Sequence, residues 1–248
     1  RRRLSVIVSN PSESGEKKQM ITKGAVEEIL NICTLVDYKG HVSPITKEIK
    51  DNIKKISKKM NEAGLRVIAV CQKNDINNVE SFDVSLEKNM VLMGFIGFLD
   101  PPKESAKSSI EKLNKAGIRV IVLTGDNAEV TKCICTKVGI KSKNIVLGNE
   151  LDKLQDMAVL RILKRTNIFA KLSPIQKARI VRLLKDSGNI VGYMGDGIND
   201  SPSLTNSDVG VSVDTAVDIA KESADIILLE KDLNVLLDGV TERKKNFW

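Results

Sequence analysis

The spacing of apolar residues changes rhythm once along this chain. Over the first hundred residues, runs at 4–8, 20–22, 66–70 and 91–99 read as strands interspersed with two helical stretches. The first stretch, 25–33, places Ile29, Leu30 and Cys33 on one face. The second, 46–63, carries Ile49, Ile53, Ile56 and Met60 as its apolar positions and stops at Gly64. The run 91–99 is nearly all apolar, which predicts a central strand. Strands and helices in no regular order predict an α+β unit on an antiparallel sheet.

Asp100-Pro101-Pro102-Lys103 interrupts this pattern, because two prolines exclude both a continuing helix and a central strand. Beyond it, helices and strands alternate strictly. Helices are expected over 103–116, 127–138, 152–165 and 174–185, three of them closed by Gly117, Gly139 and Gly188. Apolar strands are expected at 118–123, 145–147, 168–170, 190–193, 209–213 and 225–229. Buried strands written as continuous apolar runs between helices predict a parallel, doubly wound α/β sheet. The expected division is therefore 1–99, 100–238 and a short tail at 239–248.

Composition adds little to this outline. The chain has 248 residues, 42% hydrophobic and 29% charged, with a net charge of +7. Lys54, Lys55, Lys58 and Lys59 fall within one helical stretch, so the basic excess reads as solvated helix faces rather than a nucleic-acid partner. Four cysteines make no disulfide framework. Cys33 and Cys71 sit among apolar residues, and the C-x-C pair Cys133 and Cys135 points to different helix faces, so buried or half-buried thiols are expected. His41 lies in a turn-like stretch without a partner for a metal. The longest apolar run, 90–99, is about half of what a bilayer crossing needs, and the chain as given is expected to be soluble. Arg1-Arg2-Arg3 leads straight into a strand, as if the chain began in mid-domain.

In open α/β sheets ligands sit past the C-terminal ends of the strands, and three such ends carry chemistry. After 118–123 comes Thr124-Gly125-Asp126-Asn127: a hydroxyl, an unshielded amide and a carboxylate at a helix start. This suits a phosphate, and it equally suits a helix cap made by Asp126 or Asn127. After 190–193 comes Met194-Gly195-Asp196-Gly197-Ile198-Asn199-Asp200-Ser201-Pro202. Two carboxylates and an amide between glycines form a hard-oxygen arrangement suited to Mg²⁺. After 168–170 comes Lys171-Leu172-Ser173-Pro174-Ile175-Gln176-Lys177, with Pro174 opening a helix and Lys177 one turn further on. Alone, Lys177 is a surface lysine; beside the other two loops it can reach a phosphoryl group.

Together these loops resemble those of the haloacid dehalogenase-like phosphotransferases, and in particular the cation-pumping P-type ATPases. Asp100-Pro101-Pro102-Lys103 is similar to that family's hinge, and the three loops follow in its order. Thr22-Lys23-Gly24-Ala25 is similar to its K-G-A motif, whose lysine lines the adenine pocket. Arg2-Arg3-Leu4-Ser5-Val6 resembles the strand after its nucleotide-contacting phenylalanine, and Arg66 matches a phosphate-contacting arginine. Two features depart from the family. The D-K-T-G-T segment with the phosphorylated aspartate, which belongs to the first strand of the phosphorylation domain, does not occur in these residues, and neither does that phenylalanine. Met194 stands where many pumps have threonine. With 213–222 and 226–231 it makes the chain most similar to bacterial magnesium-transporting pumps, with calcium or proton pumps as rivals. Arg243-Lys244-Lys245-Asn246-Phe247-Trp248 resembles a stalk entering a membrane helix.

The resemblance implies the cytoplasmic face of an ATP-driven pump whose cation is bound by transmembrane helices elsewhere in the same protein. It implies ATP held by Lys23, Gly24 and Arg66, with Arg2 a further contact. Thr124, Gly125 and Asp126 would handle the phosphoryl group, Lys177 its charge, and Asn199 and Asp200 its orientation. Asp196 and Asp200 would serve Mg²⁺. Alone, the chain would be inactive for want of the nucleophile. A soluble phosphatase of the same superfamily would need a D-x-D segment that the chain does not contain, and a non-catalytic nucleotide-binding module is the third reading.

Overall fold

The computed structural model describes residues 2–12, 15–74, 76, 83–141, 144–230 and 232–245. The chain forms two compact units, Arg1–Asp100 and Pro101–Trp248.

The first unit contains β1 (Arg3–Ser12), β2 (Gly15–Ala25), α1 (Val26–Ile32), β3 (Cys33–Tyr38), β4 (His41–Pro44), α2 (Lys47–Glu62), β5 (Leu65–Lys73) and β6 (Met90–Leu99). They make one six-stranded sheet in the order β1-β2-β5-β6-β3-β4. Its pairings are antiparallel except for β3 against β6, which is parallel, so the sheet is mixed. β6 lies inside the sheet, between β5 and β3. α1 and α2 cover one face, where Met20, Ile29, Leu30, Ala69, Met90 and Leu92 close a core. Thr46 caps α2 by accepting from the Ile49 amide at 3.2 Å, and Gly64 ends it at φ +88°.

Three local expectations fail here. Cys33 does not end a helix but begins β3, because Cys33-Thr34-Leu35-Val36 gains a ladder with β6 that a further helical turn would forfeit. That strand returns through β4 by a turn at Lys39 and Gly40, with the Gly40 amide on Asp37 Oδ1 at 2.8 Å, so His41 is a strand residue. Ile56 is also half exposed, and Ser57 takes its place against the core.

The second unit contains α3 (Ser105–Lys115), β7 (Val122–Leu123), α4 (Ala128–Lys137), β8 (Val146–Leu147), α5 (Gly148–Leu151), α6 (Asp156–Leu163), β9 (Ile168–Ala170), α7 (Pro174–Asp186), β10 (Gly192–Met194), α8 (Ser201–Asn206), β11 (Val209–Val213), α9 (Asp218–Glu222), β12 (Ile226–Leu228) and α10 (Leu233–Lys245). All its described strand pairs are parallel. They do not form one continuous sheet: the ladders are β7-β9-β8 and β10-β11-β12. β7 and β10 each pair on one side only among the described residues, so both strands are shorter than their apolar runs. Ile190, just before β10, is 90% exposed. α7 joins the ladders, because Val181 enters the core of β10-β11-β12 while Ile180 and Leu183 enter that of β7-β9-β8. The helix expected over 152–165 is shortened to α6, and the separate one-turn α5 precedes it. α10 runs across the expected 238/239 boundary and docks on α3 through Ser109 Oγ and Asn234 Oδ1 at 3.0 Å. Asn246, Phe247 and Trp248 of the expected stalk, like Arg1, lie outside the described residues.

Candidate functional site

Three strand ends meet in the second unit. At the end of β7 the Thr124 hydroxyl donates to Asp126 Oδ2 and accepts from the Asp126 amide, both at 3.1 Å. Asn127, not Asp126, caps α4: its Oδ1 accepts from the Val130 amide at 2.9 Å. Gly125 is exposed, and a Cβ there would meet only the Leu172 carbonyl at 3.5 Å. The fold does not require glycine at that point; glycine leaves the amide open to an anion.

The loop after β9 lies against this turn. The Lys171 amide donates to the Asp126 carbonyl at 2.7 Å and the Leu172 amide to the Thr124 carbonyl at 3.0 Å. Lys171 reaches this position with φ +54°, uncommon for a side chain-bearing residue. Ser173 then starts α7 with a capping box: its Oγ accepts from the Gln176 amide at 3.3 Å, and Gln176 Oε1 accepts from the Ser173 amide at 2.8 Å. Gln176 also donates to the Gly148 carbonyl at 2.9 Å and to Asp152 Oδ1 at 2.7 Å, tying in the loop after β8.

One turn into α7, Lys177 Nζ reaches Asp200 Oδ1 at 2.8 Å. Their side chains are only 12% and 14% exposed, so this is not a screened surface pair. Asp200 comes from the loop after β10, which closes on itself as Gly197 N donates to Asp200 Oδ2 at 3.3 Å, and which β11 holds as Ser212 Oγ donates to the Gly195 carbonyl at 2.9 Å. The Tyr193 phenol, on β10, donates to the same Asp200 Oδ1 at 2.7 Å. Burial pushes the Asp200 carboxyl up, but the hydrogen bonds from Lys177 and Tyr193, the lysine charge and the Gly197 amide outweigh it and hold the group below the usual carboxylate range. Burial, then the bond to Asp200 and its charge, hold the Tyr193 phenol well above its ordinary value. Asp196 and Asn199 are exposed on the same loop.

For a magnesium ion, this donor set offers one exposed carboxylate. Asp196 stands at the strand end facing solvent, whereas both Asp200 oxygens already accept hydrogen bonds within the loop cluster. Magnesium binds through one or two protein carboxylates with the remaining positions left to water and phosphate, so the residues fit it. Among the described residues no group of three His, Cys, Asp or Glu side chains converges on a cation.

A second set of residues gathers in the first unit. A cavity of about 710 Å³ on the sheet face opposite α1 and α2 is lined by Arg2, Leu4, Lys23, Arg66, Ile68 and Phe98, among others. The register explains the gathering. Leu4 opposes Lys23, Ala25 opposes Ile68, and Arg66 opposes Phe98, all on one face. Cations thus surround an apolar floor. Gly24 allows it, because a Cβ there would lie 2.6 Å from the Arg2 carbonyl oxygen and 2.7 Å from Arg3 Cβ. Arg3 also touches the cavity, but its guanidinium is taken by Glu87 at 2.6 Å and Glu28 at 3.0 Å. Ser5 Oγ donates to the other Glu87 oxygen at 2.6 Å, so this buried carboxylate anchors β1.

Residues 72–208 match the sequence model of the haloacid dehalogenase-like hydrolases. The chain belongs to this family. Residues 1–105 match a second model, described as P-type ATPase, cytoplasmic domain N. Over its full length the chain is 44% identical to the magnesium-transporting ATPase, P-type 1, of Escherichia coli K12, covering 27% of that protein. The corresponding Salmonella typhimurium protein is 43% identical, again over the whole chain and 27% of the relative. Calcium-transporting ATPase 1 of Bacillus cereus is 35% identical over 92% of the chain and 26% of its own length. The chain therefore spans about a quarter of the relatives it matches. As a haloacid dehalogenase-like hydrolase it brings Thr124, Asp126, Lys177 and Asp200 to one cluster of strand ends, while Arg2, Lys23, Gly24 and Arg66 gather separately in the first unit. Tyr193, Gln176 and Glu87 escaped the sequence reading. Only Gln176 had a local signal there, the S-x-x-Q spacing of a capping box.

Proposed function

We propose that this chain is the nucleotide-binding and phosphoryl-handling part of an ATP-driven P-type cation pump, with magnesium as the transported ion. The observation that carries the reading is the Lys177–Asp200 pair, which ties the β9 loop to the β10 loop beside the Thr124–Asp126 turn. A mostly buried lysine at converging strand ends, with an open backbone amide at the end of β7, suits an anion. The relatives' names support the choice of magnesium, and membrane-spanning parts of the same protein would bind that ion.

In this reading Lys23, Arg66 and Arg2 hold ATP over the apolar floor of the first unit. A carboxylate from the same protein attacks the γ-phosphorus; the bond to the β,γ-bridging oxygen breaks, and ADP leaves. The aspartyl phosphate is later hydrolysed. The Gly125 amide and the Thr124 hydroxyl receive the equatorial oxygens, and Lys177 offsets their charge. Asp196 would hold Mg²⁺, which when bound supplies positive charge to the transferring phosphoryl group. Asp200 holds Lys177 rather than the metal, and Asn199 contacts the phosphoryl face from the loop. No described helix is long and apolar enough to cross a membrane.

The edges of β7 and β10, each paired on one side only among the described residues, favour a finer statement about the fold. The D-K-T-G-T segment would add as a parallel strand between them, joining two three-stranded ladders into one doubly wound sheet and delivering its aspartate beside Thr124 and Asp196. A synthetic peptide of that sequence, added to the chain, should slow amide hydrogen exchange at 118–124 and 190–194. Exchange unchanged there, or p-nitrophenyl phosphate hydrolysis by the chain alone, would count against the reading and favour a self-contained phosphatase.

A further inference from the structure

Tyr193 is assigned no role by the reading above, yet it is buried where Lys177 and Asp200 are each partly exposed. The ring is buried on β10 among Val181, Leu204 and Val211, and the hydroxyl shares Asp200 Oδ1 with Lys177. Ser203, fully buried on α8, lies near the same phenol, and its hydroxyl makes no hydrogen bond. A lysine carries four rotors and a strand tyrosine two, so the tyrosine fixes where the carboxylate stands.

The arrangement matters because one ammonium cannot fully neutralise two anions at once. If Lys177 serves an incoming phosphoryl group, it must give up much of its contact with Asp200. A largely buried carboxylate deserted by its only partner is costly, and that cost would hold the lysine back. Asp200 is not left alone here: Tyr193 still donates to Oδ1 and Gly197 to Oδ2. A carboxylate that already accepts a strong hydrogen bond is also a weaker partner for the next donor.

We propose that Tyr193 is a positioning residue that makes Lys177 releasable, its hydroxyl keeping Asp200 satisfied when the ammonium turns to a phosphoryl oxygen. The proposal rests on the loops handling a phosphoryl group, and its test separates the two ideas. The variant is Tyr193→Phe, which keeps the ring and its packing.

The first measurement is a double-mutant cycle of Lys177→Met and Asp200→Asn by urea unfolding, run in the native background and again in the Tyr193→Phe background. The coupling between lysine and aspartate should be larger where the phenol is missing. Equal or smaller coupling overturns the proposal, even if Tyr193→Phe lowers overall stability, because that would be a structural role only. The second measurement follows the Lys177 ammonium by ¹⁵N NMR, with Lys177→Arg to assign the signal. In Tyr193→Phe its protons should exchange with water about threefold more slowly, as expected for a tighter charged hydrogen bond. Adding Mg²⁺ and inorganic phosphate should shift the signal in the native chain, and the Tyr193→Phe chain should need several-fold more phosphate. A native signal indifferent to phosphate overturns the phosphoryl reading; a native shift matched by the variant at equal phosphate overturns the role of Tyr193 alone.

Discussion

Two glycines in the β10 loop, two residues apart, should respond very unequally to alanine. A Cβ at Gly195 would lie 2.7 Å from Asp200 Cγ and 2.9 Å from Oδ2, contacts that no carbon tolerates. The carboxylate must therefore move by about 0.5 Å or more. Its bonds from Tyr193 and Lys177 stand at 2.7 and 2.8 Å, so such a shift carries both to or beyond the edge of hydrogen-bonding range. Overpacking costs about 1–3 kcal/mol, and the weakened charged bond about 1.5–3 kcal/mol. Because the two costs share one displacement, Gly195→Ala should lose about 3–4 kcal/mol rather than their full sum. At Gly197 the same Cβ meets Asp200 Oδ2 at 3.6 Å and the Asn199 amide at 3.9 Å, with φ at −109°, where any residue is at ease. Gly197→Ala should stay within about 0.5 kcal/mol of the native chain. Urea denaturation with far-ultraviolet dichroism measures both. Equal losses in the two variants would refute the claim that Gly195 is glycine to make room for Asp200.

The Asp200 carboxyl is held below its ordinary range, so its contribution to stability is complete above the unfolded value of about 3.9 and disappears as pH falls through the lower folded one. Asp200→Asn should accordingly flatten the part of an acid-unfolding curve below about pH 4, and an unchanged slope would contradict the ion pair. Gly24→Ala, which drives a Cβ into the Arg2 carbonyl and Arg3, should destabilise the first unit by about 1–3 kcal/mol and weaken ATP binding, read by calorimetry. Ser173→Ala removes the α7 cap and should cost about 1 kcal/mol, measured as a lower urea midpoint at constant slope. Of the four thiols Cys33, Cys71 and Cys135 are buried and Cys133 half buried; burial pushes Cys135 up to about 11. A disulfide reagent under native conditions should label Cys133 first, and mass mapping that found Cys135 ahead of it would contradict the packing of α4.

Much of this fold was legible because its signals are local. Glycines expected to stop helices at 64, 117, 139 and 188 all take positive φ, between +80° and +88°, since a left-handed residue after the last turn is a matter of a few bonds. Ser173-Pro174 opens α7 for the same reason. Strand ends can be found from where apolar runs stop, and this placed Thr124 and Asp196 on the loops, and Lys177 in the first turns of the helix, where they stand. The Thr124–Asn127 turn held two readings that composition could not separate. Only its geometry assigned the cap to Asn127 and left the Gly125 amide open.

What the chain's order of residues could not decide were pairings between distant segments. Residues 33–36 fit a helix or a strand, and the vacant edge of β6 decided for the strand. Six apolar strands implied one sheet, but strands share a sheet only through hydrogen-bonded neighbours, and β7 and β10 have none between them among the described residues. The anchoring of β1 by Glu87 spans 84 residues, and the Lys177–Asp200 pair spans 23. Tyr193 carried no sequence signal at all, because a tyrosine in a strand reads as packing until its hydroxyl is seen to meet a carboxylate. Residue type and spacing singled out the three loops proposed to handle phosphate and magnesium. Tertiary structure separated the two carboxylates of the loop, because only there do Lys177, Tyr193 and Gly197 fill the oxygens of Asp200 and leave Asp196 exposed.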